Sequence, residues 1–202
     1  AKNAALWTLL LLTMLPGRSA WAQVDLTGEW SPRKYNDGRD IGDYTGIPLN
    51  EEGRLRAVSW APGQADLPEN VCRLHPPDLG FRVSPSDLSI EKELDKATRQ
   101  IIAYHIHSYW SEETIWMDGR PHPPEYALHT RGGFSTGRWE GNTLVVTTTH
   151  LKEAYLTRAG VPRSSNATVR KRINRFGNYL SMVIMIYDPV YLTEPYIRNE
   201  TW

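Results

Sequence analysis

The chain has 202 residues with 23 basic and 23 acidic side chains, enough for one well-buried domain and without the positive excess of a nucleic-acid surface. The single cysteine, Cys72, excludes an internal disulfide and any multi-thiolate metal site. Eight Trp and ten Tyr stand against three Phe, a balance that suits half-wet surfaces, because Trp and Tyr each carry a polar tip on an apolar body.

The first element is Lys2 followed by an apolar run from Ala4 to Leu15, then Pro16-Gly17-Arg18 and an A-x-A pattern at Ala20 and Ala22. This is the composition of a secretory signal with a cleavage site after Ala22. Residues 1–22 are nevertheless expected to be retained as a membrane anchor. The 20 residues from Asn3 to Ala22 match the roughly 30 Å hydrocarbon core as a helix. Leu9, Leu10, Leu11 and Leu12 would then lie in the hydrocarbon, with Trp7 and Trp21 near the two interfaces. Residues 23–202 would form a domain on the periplasmic side of the inner membrane.

A first strand is expected from about Val24 to Ser31, carrying Gly28 and Trp30. Residues 32–86 are rich in Pro, Gly and Asp and read as long loop with one short helix near 51–59, Asn50 being its N-cap. From Leu88 onward the pattern is β. LSIEKEL and RQIIAYHIHSYW flank the loop DKAT, and TIWM ends at Asp118-Gly119. STGRW and TLVVTTTHL flank Glu140-Gly141-Asn142; TVRKRINRF and YLSMVIMIY flank Gly177-Asn178; EPYIRNETW follows as a last strand. No helical period intervenes, so the expected fold is mainly β: an antiparallel meander closing into a lipocalin-like barrel or strongly curved sheet.

Residue parity assigns faces. Leu180, Met182, Ile184 and Ile186 share one face of their strand, and the other face is largely apolar too, which calls for a covering element or partner. Arg170 and Arg172 define a wet, basic face on TVRKRINRF, with cross-strand acids expected opposite.

The segment DGRPHPPEYALHTRGGFSTGRWEGNTLVVTTTHL and the later DPVYLTEPYIR resemble a large group of uncharacterised bacterial secreted proteins. The resemblance is carried by Asp118, Gly119, Arg120, His122, Pro123, Gly133, Ser135, Gly137, Trp139, Glu140, Gly141, Asp188, Pro189, Tyr191 and Pro195, with Asn142 where that group has Asp. Gly28-x-Trp30 also resembles the opening strand of lipocalin and related calycin barrels. The resemblance implies the fold and the extracytoplasmic location, and brings no activity with it.

Six histidines raise the question of a metal. His105 and His107 lie at i and i+2 of one strand and share a face, while His122, Glu125 and His129 follow in the next loop. None of these has the H-x-x-x-H or H-E-x-x-H spacing of a helical site, and the expected role is neutral imidazoles bonded to Thr, Tyr and Glu on neighbouring strands. Ser135 sits in a G-x-S-x-G spacing but leads into a strand, whereas a nucleophile elbow needs a strand-to-helix turn. No cofactor is expected, and C-x-x-C-H for haem attachment is missing from the sequence. The favoured expectation is a non-catalytic accessory subunit of a larger membrane complex, such as an electron-transfer or photosynthetic reaction-centre assembly, with other protein subunits as partners. A lipocalin-like binder of a small apolar ligand and a metal-dependent enzyme are the alternatives.

Overall fold

The computed structural model describes residues 24–33, 44–60, 75–82, 87–157 and 160–202. The expected anchor (Trp7, Leu9, Leu10, Leu11, Leu12 and Trp21) and Cys72 lie outside the described residues. Among the described residues, no helix is long and apolar enough to cross a membrane.

Nine strands form one strongly curled sheet: β1 (Gly28–Trp30), β2 (Leu88–Leu94), β3 (Ile101–Ser108), β4 (Glu112–Trp116), β5 (Phe134–Glu140), β6 (Thr143–Thr149), β9 (Thr168–Phe176), β10 (Tyr179–Tyr187) and β11 (Tyr196–Thr201), in that spatial order. A two-stranded ribbon of β7 (Ala154–Tyr155) and β8 (Pro162–Arg163) interrupts the sequence between β6 and β9. The curl brings the sheet's ends together: Arg33 N–H donates to Thr201 O at 3.0 Å, and Arg175 Nη1 donates to Asp25 O at 2.6 Å. Contacts of this kind blunt edges that would otherwise pair with other chains.

The tight turns follow their residues. Gly141 and Gly177 have φ of +60° and +59° at the first central position of two-residue hairpins, which is where glycine meets no steric penalty. The inner face is the one parity assigned. Leu180, Met182, Ile184 and Ile186 are fully buried, against Val146, Ile173 and Ile115 from neighbouring strands. At roughly 1.5–3 kcal/mol for each such side chain, a one-residue slip of β10 would forfeit several kcal/mol, so the register is well determined. The outer face of β10 is only half covered.

Helix α1 (Glu51–Val58) is capped by Asn50, whose side-chain oxygen accepts from Gly53 N–H at 2.9 Å. Its Gly53 lies against Tyr191, where an added Cβ would stand 2.6 Å from the carbonyl oxygen. A one-turn helix, α2 (Pro77–Gly80), was not foreseen in the loop-rich stretch.

Three expectations need correction. The first strand is three residues long, not eight. Lys171, within the basic stretch RKRINR, is fully buried rather than solvated, although Arg170 and Arg172 are exposed and Arg172 pairs with Glu140 at 3.2 Å. The sheet is also not a pure antiparallel meander, because β4 and β5 run parallel, with Ile115 opposite Ser135 and Trp116 opposite Thr136. The cause lies in PHPP. Proline has no N–H for a ladder, so Pro121, Pro123 and Pro124 cannot return beside β4 as a hairpin strand. After Met117, which still bonds to Ile102 O, the chain instead runs back over β5 and β6, where His122 meets Thr136 and Thr149, and β5 enters from the same end as β4.

A histidine-held strap as candidate functional site

The crossover begins with a local clamp. Arg120 donates from Nε to Asp118 Oδ1 at 2.9 Å and from Nη2 to Oδ2 at 2.5 Å, and its guanidinium lies 3.5 Å over the Trp116 ring. These side-chain bonds hold the Asp118 carboxyl below its ordinary range. Asp118, Gly119 and Arg120 thus turn the chain from the end of β4 onto the sheet's outer face.

From there a chain of hydrogen bonds fastens the strap. His122 Nε2 lies 2.8 Å from Thr136 Oγ1 on β5, and its Nδ1 lies 2.8 Å from Thr149 Oγ1 at the end of β6. Thr149 Oγ1 lies 2.8 Å from His150 Nδ1, and His150 Nε2 lies 3.0 Å from Pro124 O. A carbonyl only accepts, so His150 carries its proton on Nε2 and its Nδ1 accepts the Thr149 hydroxyl proton. Thr149 has one proton to give, so His122 donates to it from Nδ1 and accepts the Thr136 hydroxyl at Nε2. All four bonds then have one consistent direction with both rings neutral. Burial, and after it the neighbouring His150, pushes the His122 imidazole below its ordinary range.

The backbone joins in. Thr130 N–H donates to His150 O, Lys152 N–H donates to Thr130 O, and His129 donates from Nδ1 to Leu151 O at 2.9 Å. His150 itself has φ of +56°, a left-handed conformation uncommon outside glycine, which turns the chain at the end of β6. Against this much fixing, Tyr126 and Leu128 at the strap's crest are 91% and 90% exposed. Beside the strap lies an open cleft of about 730 Å³ lined by His122, Glu125, His129, His150, Lys152 and Glu153.

The histidines first considered as ligands therefore fall into two groups. His122, His129 and Glu125 share this cleft, with His150 added. Both nitrogens of His122 and of His150 are committed to hydroxyls or a carbonyl, and among the described residues no group of three or more candidate ligands could hold a metal ion. His105 and His107 lie on β3, beyond β4. Their rings stack 6.4 Å apart, and His105 bridges Glu93 at 3.1 Å and Thr114 at 3.2 Å. The His105 ring thus bonds to Glu and Thr on the two neighbouring strands, β2 and β4.

A second polar site lies where β4 and β5 part. A cleft of about 400 Å³, lined by His75, His107, Glu112, Arg131 and Phe134 among others, reaches Glu113 and Ser135. Lys171 Nζ lies 2.6 Å and 2.5 Å from the two Glu113 oxygens, Ser135 Oγ donates to Glu113 Oε1 at 2.6 Å, and Thr148 Oγ1 lies 2.8 Å from Ser135 Oγ. Lys171 and Glu113 side chains are 0% and 1% exposed. The Ser135 hydroxyl is thus tied into a buried ion pair, near the start of β5, and no imidazole contacts it within the network. Parity carried the signal for this pair: Lys171 shares a face with Val169 and Ile173, and Glu113 with Ile115.

The other signature residues are structural in place. Asp188 accepts from Ser164 N–H and Oγ at 2.6 Å each and from Val190 N–H at 3.0 Å, locking the turn that contains Pro189. Trp139 packs edge-on to Tyr104, with ring centroids 6.4 Å apart. Trp30 donates to Leu26 O at 3.0 Å with the Arg175 guanidinium 5.3 Å from its ring, and Gly28, just before it, has φ of +133°.

These features define a class: a mainly β chain whose curled sheet is packed on the inside and strapped on the outside. Comparisons with protein-family models, with curated proteins and with solved structures give no match.

Proposed function

We propose that this protein is a non-catalytic accessory subunit that docks on a larger membrane assembly on the periplasmic side, using the strap as its contact surface. The observation that carries the reading is the strap itself, a crossover fixed by a directed hydrogen-bond chain that holds Tyr126 and Leu128 almost wholly in solvent. Ordering a loop costs roughly 1–2 kcal/mol per residue in backbone entropy, and a partner recovers that investment by meeting a preformed surface. Tyr is among the residues that dominate protein interfaces.

Two further points favour docking. The inner face of the sheet is filled by packed side chains from Leu26 through Trp202, where a lipocalin-like binder needs an open apolar lumen. The apolar run near the N-terminus and the resemblance to secreted proteins suit an anchored, periplasmic subunit. An electron-transfer or photosynthetic reaction-centre complex is the kind of host proposed, with neighbouring protein subunits as partners.

The test is to solubilise native membranes in mild detergent and follow the chain on native gels, with intact mass reporting residues 1–22. The wild type should co-migrate with stoichiometric partner chains, and Tyr126→Ser/Leu128→Ser should lose them while remaining folded. Recovery as a lone species, or unchanged co-migration of the double variant, would overturn the proposal.

A further inference from the structure

Beside its backbone bonds, the strap is held by His122 and His150, each bonded through both ring nitrogens. In the chain Thr136, His122, Thr149, His150, Pro124 O, each ring nitrogen has one role, donor or acceptor, that matches its partner. Adding a proton to His150 at Nδ1 aims a second donor at Thr149 Oγ1, which already receives the His122 proton, and leaves the Thr149 hydroxyl without its acceptor. Adding one to His122 at Nε2 forces the Thr136 hydroxyl to turn its own proton away. Either change places a cation among hydroxyls and a carbonyl, and changing both places two cations on one bridging oxygen.

The surroundings offer little compensation. On the strap, Asp118 and Arg120 pair with each other, the exposed Glu125 lines the same cleft without bonding to either ring, and His129 lies with its ring 5.2 Å from His150 while donating to Leu151 O. After β6, Lys152 adds positive charge, and Glu153 is held by Tyr191 Oη at 3.4 Å and Arg56 at 3.7 Å. Beyond β6, β9 presents Arg170, opposite Thr147. The remaining cleft segment, Ser165 to Thr168, carries no ionisable group. No carboxylate bonds to either ring, in contrast to His105, which has Glu93 at 3.1 Å.

We infer that the strap is a proton-operated latch: neutral His122 and His150 hold the crossover against β5 and β6, and their protonation releases the segment that carries Tyr126 and Leu128. Its consequence for partner binding rests on the docking reading above, whereas the latch itself does not. The direction follows from linkage. An open strap frees His122 to titrate near the ordinary histidine value of about 6.5, while burial holds it lower when the strap is closed. The open state therefore takes up the proton first, and its population rises as pH falls below about 6.5. The limit for one proton is tenfold per pH unit, or about thirtyfold at pH 5.

Hydrogen exchange of the full chain, corrected for the intrinsic pH dependence of exchange, reads this without a partner. Amides of residues 125–131 should lose protection severalfold, up to about thirtyfold, between pH 7.5 and 5, while those of the β2–β3 hairpin keep theirs. His122→Gln/His150→Gln should flatten that response, and His105→Gln should leave it unchanged. Since the double variant is liable to fold poorly, an NMR titration of wild-type imidazole Cε1–H signals supplies the second readout, with His122 titrating below the ordinary histidine value. Strap protection that does not vary with pH in the wild type, a His122 midpoint at or above the ordinary value, or a pH response surviving in a folded double variant would overturn the latch. Docking is read separately at pH 7.5 through Tyr126 and Leu128, so either idea can fail alone.

Discussion

Two polar networks in this molecule lie on opposite faces of the same strands. Inside, Lys171 on β9 and Glu113 on β4 meet across the sheet's interior with Ser135 and Thr148 as satellites. Outside, Thr136 on β5 and Thr149 on β6 grip His122 and His150. The inner network centres on a buried ion pair, and a cleft reaches its Glu113 and Ser135; the outer one is built from imidazoles and hydroxyls beside a larger cleft. The first spans a weak seam, since β4 and β5 share only two register pairs. The second fastens the crossover that this parallel seam makes necessary. Disrupting the first should therefore lower global stability, and disrupting the second should act on a single segment.

The largest expected effect breaks the inner network on one side. Lys171→Met leaves Glu113 buried with hydroxyl partners only, and such half-removed pairs cost about 3–5 kcal/mol. The urea midpoint should fall accordingly, with the slope unchanged. Lys171→Met/Glu113→Leu should recover most of the loss, because the uncompensated charge is gone. A single variant as stable as the wild type would mean that the pair is not dry.

Next comes the outer network. His122→Ala removes two hydrogen bonds at about 0.5–1.5 kcal/mol each from a half-buried ring that also meets Phe134 edge-on at 5.4 Å. Global stability should fall by only about 1–3 kcal/mol, while hydrogen exchange of residues 125–131 speeds up by more than that of β10. Uniform loss across the molecule would erase the distinction between the two networks.

How far the sequence revealed these networks differs in the same way. The long strands from Leu88 onward, the Asn50 cap and the glycine-led hairpins were legible because each depends on local residues, whereas the short β7–β8 ribbon was not. The parallel seam was not, although its cause is local: Asp118-Gly119 reads as a hairpin signal, and only three nearby prolines deny the returning strand its donors. His122, His129 and Glu125 were singled out together and do share a cleft. Their partners Thr136, Thr149 and Pro124 were not legible, because which hydroxyl faces which ring depends on the crossover path. The charged pair escaped for another reason: RKRINR is basic enough to mask the alternation that buries Lys171.

A smaller effect tests a turn that neither network touches. Gly141→Ala meets no atom within 4 Å, so its cost comes only from φ of +60°, about 1–2 kcal/mol at most. Melting temperature should drop by a few degrees, with strap exchange unchanged. Altered strap exchange would mean that the β5–β6 hairpin and the strap open as one unit.

The smallest expected effect on stability is the most informative about function. Tyr126→Ser/Leu128→Ser alters two side chains that are nine-tenths exposed, so unfolding should stay within about 0.5 kcal/mol of the wild type. Partner affinity should fall at least tenfold if these side chains anchor an interface, since buried Tyr anchors are commonly worth about 2 kcal/mol or more. Large apolar side chains held in solvent by a well-fixed strap serve no folding purpose that the structure displays. A double variant that loses the partner and keeps its stability separates the role of the strap's crest from that of its fastenings, whereas one that loses stability would mean that the crest packs on the domain.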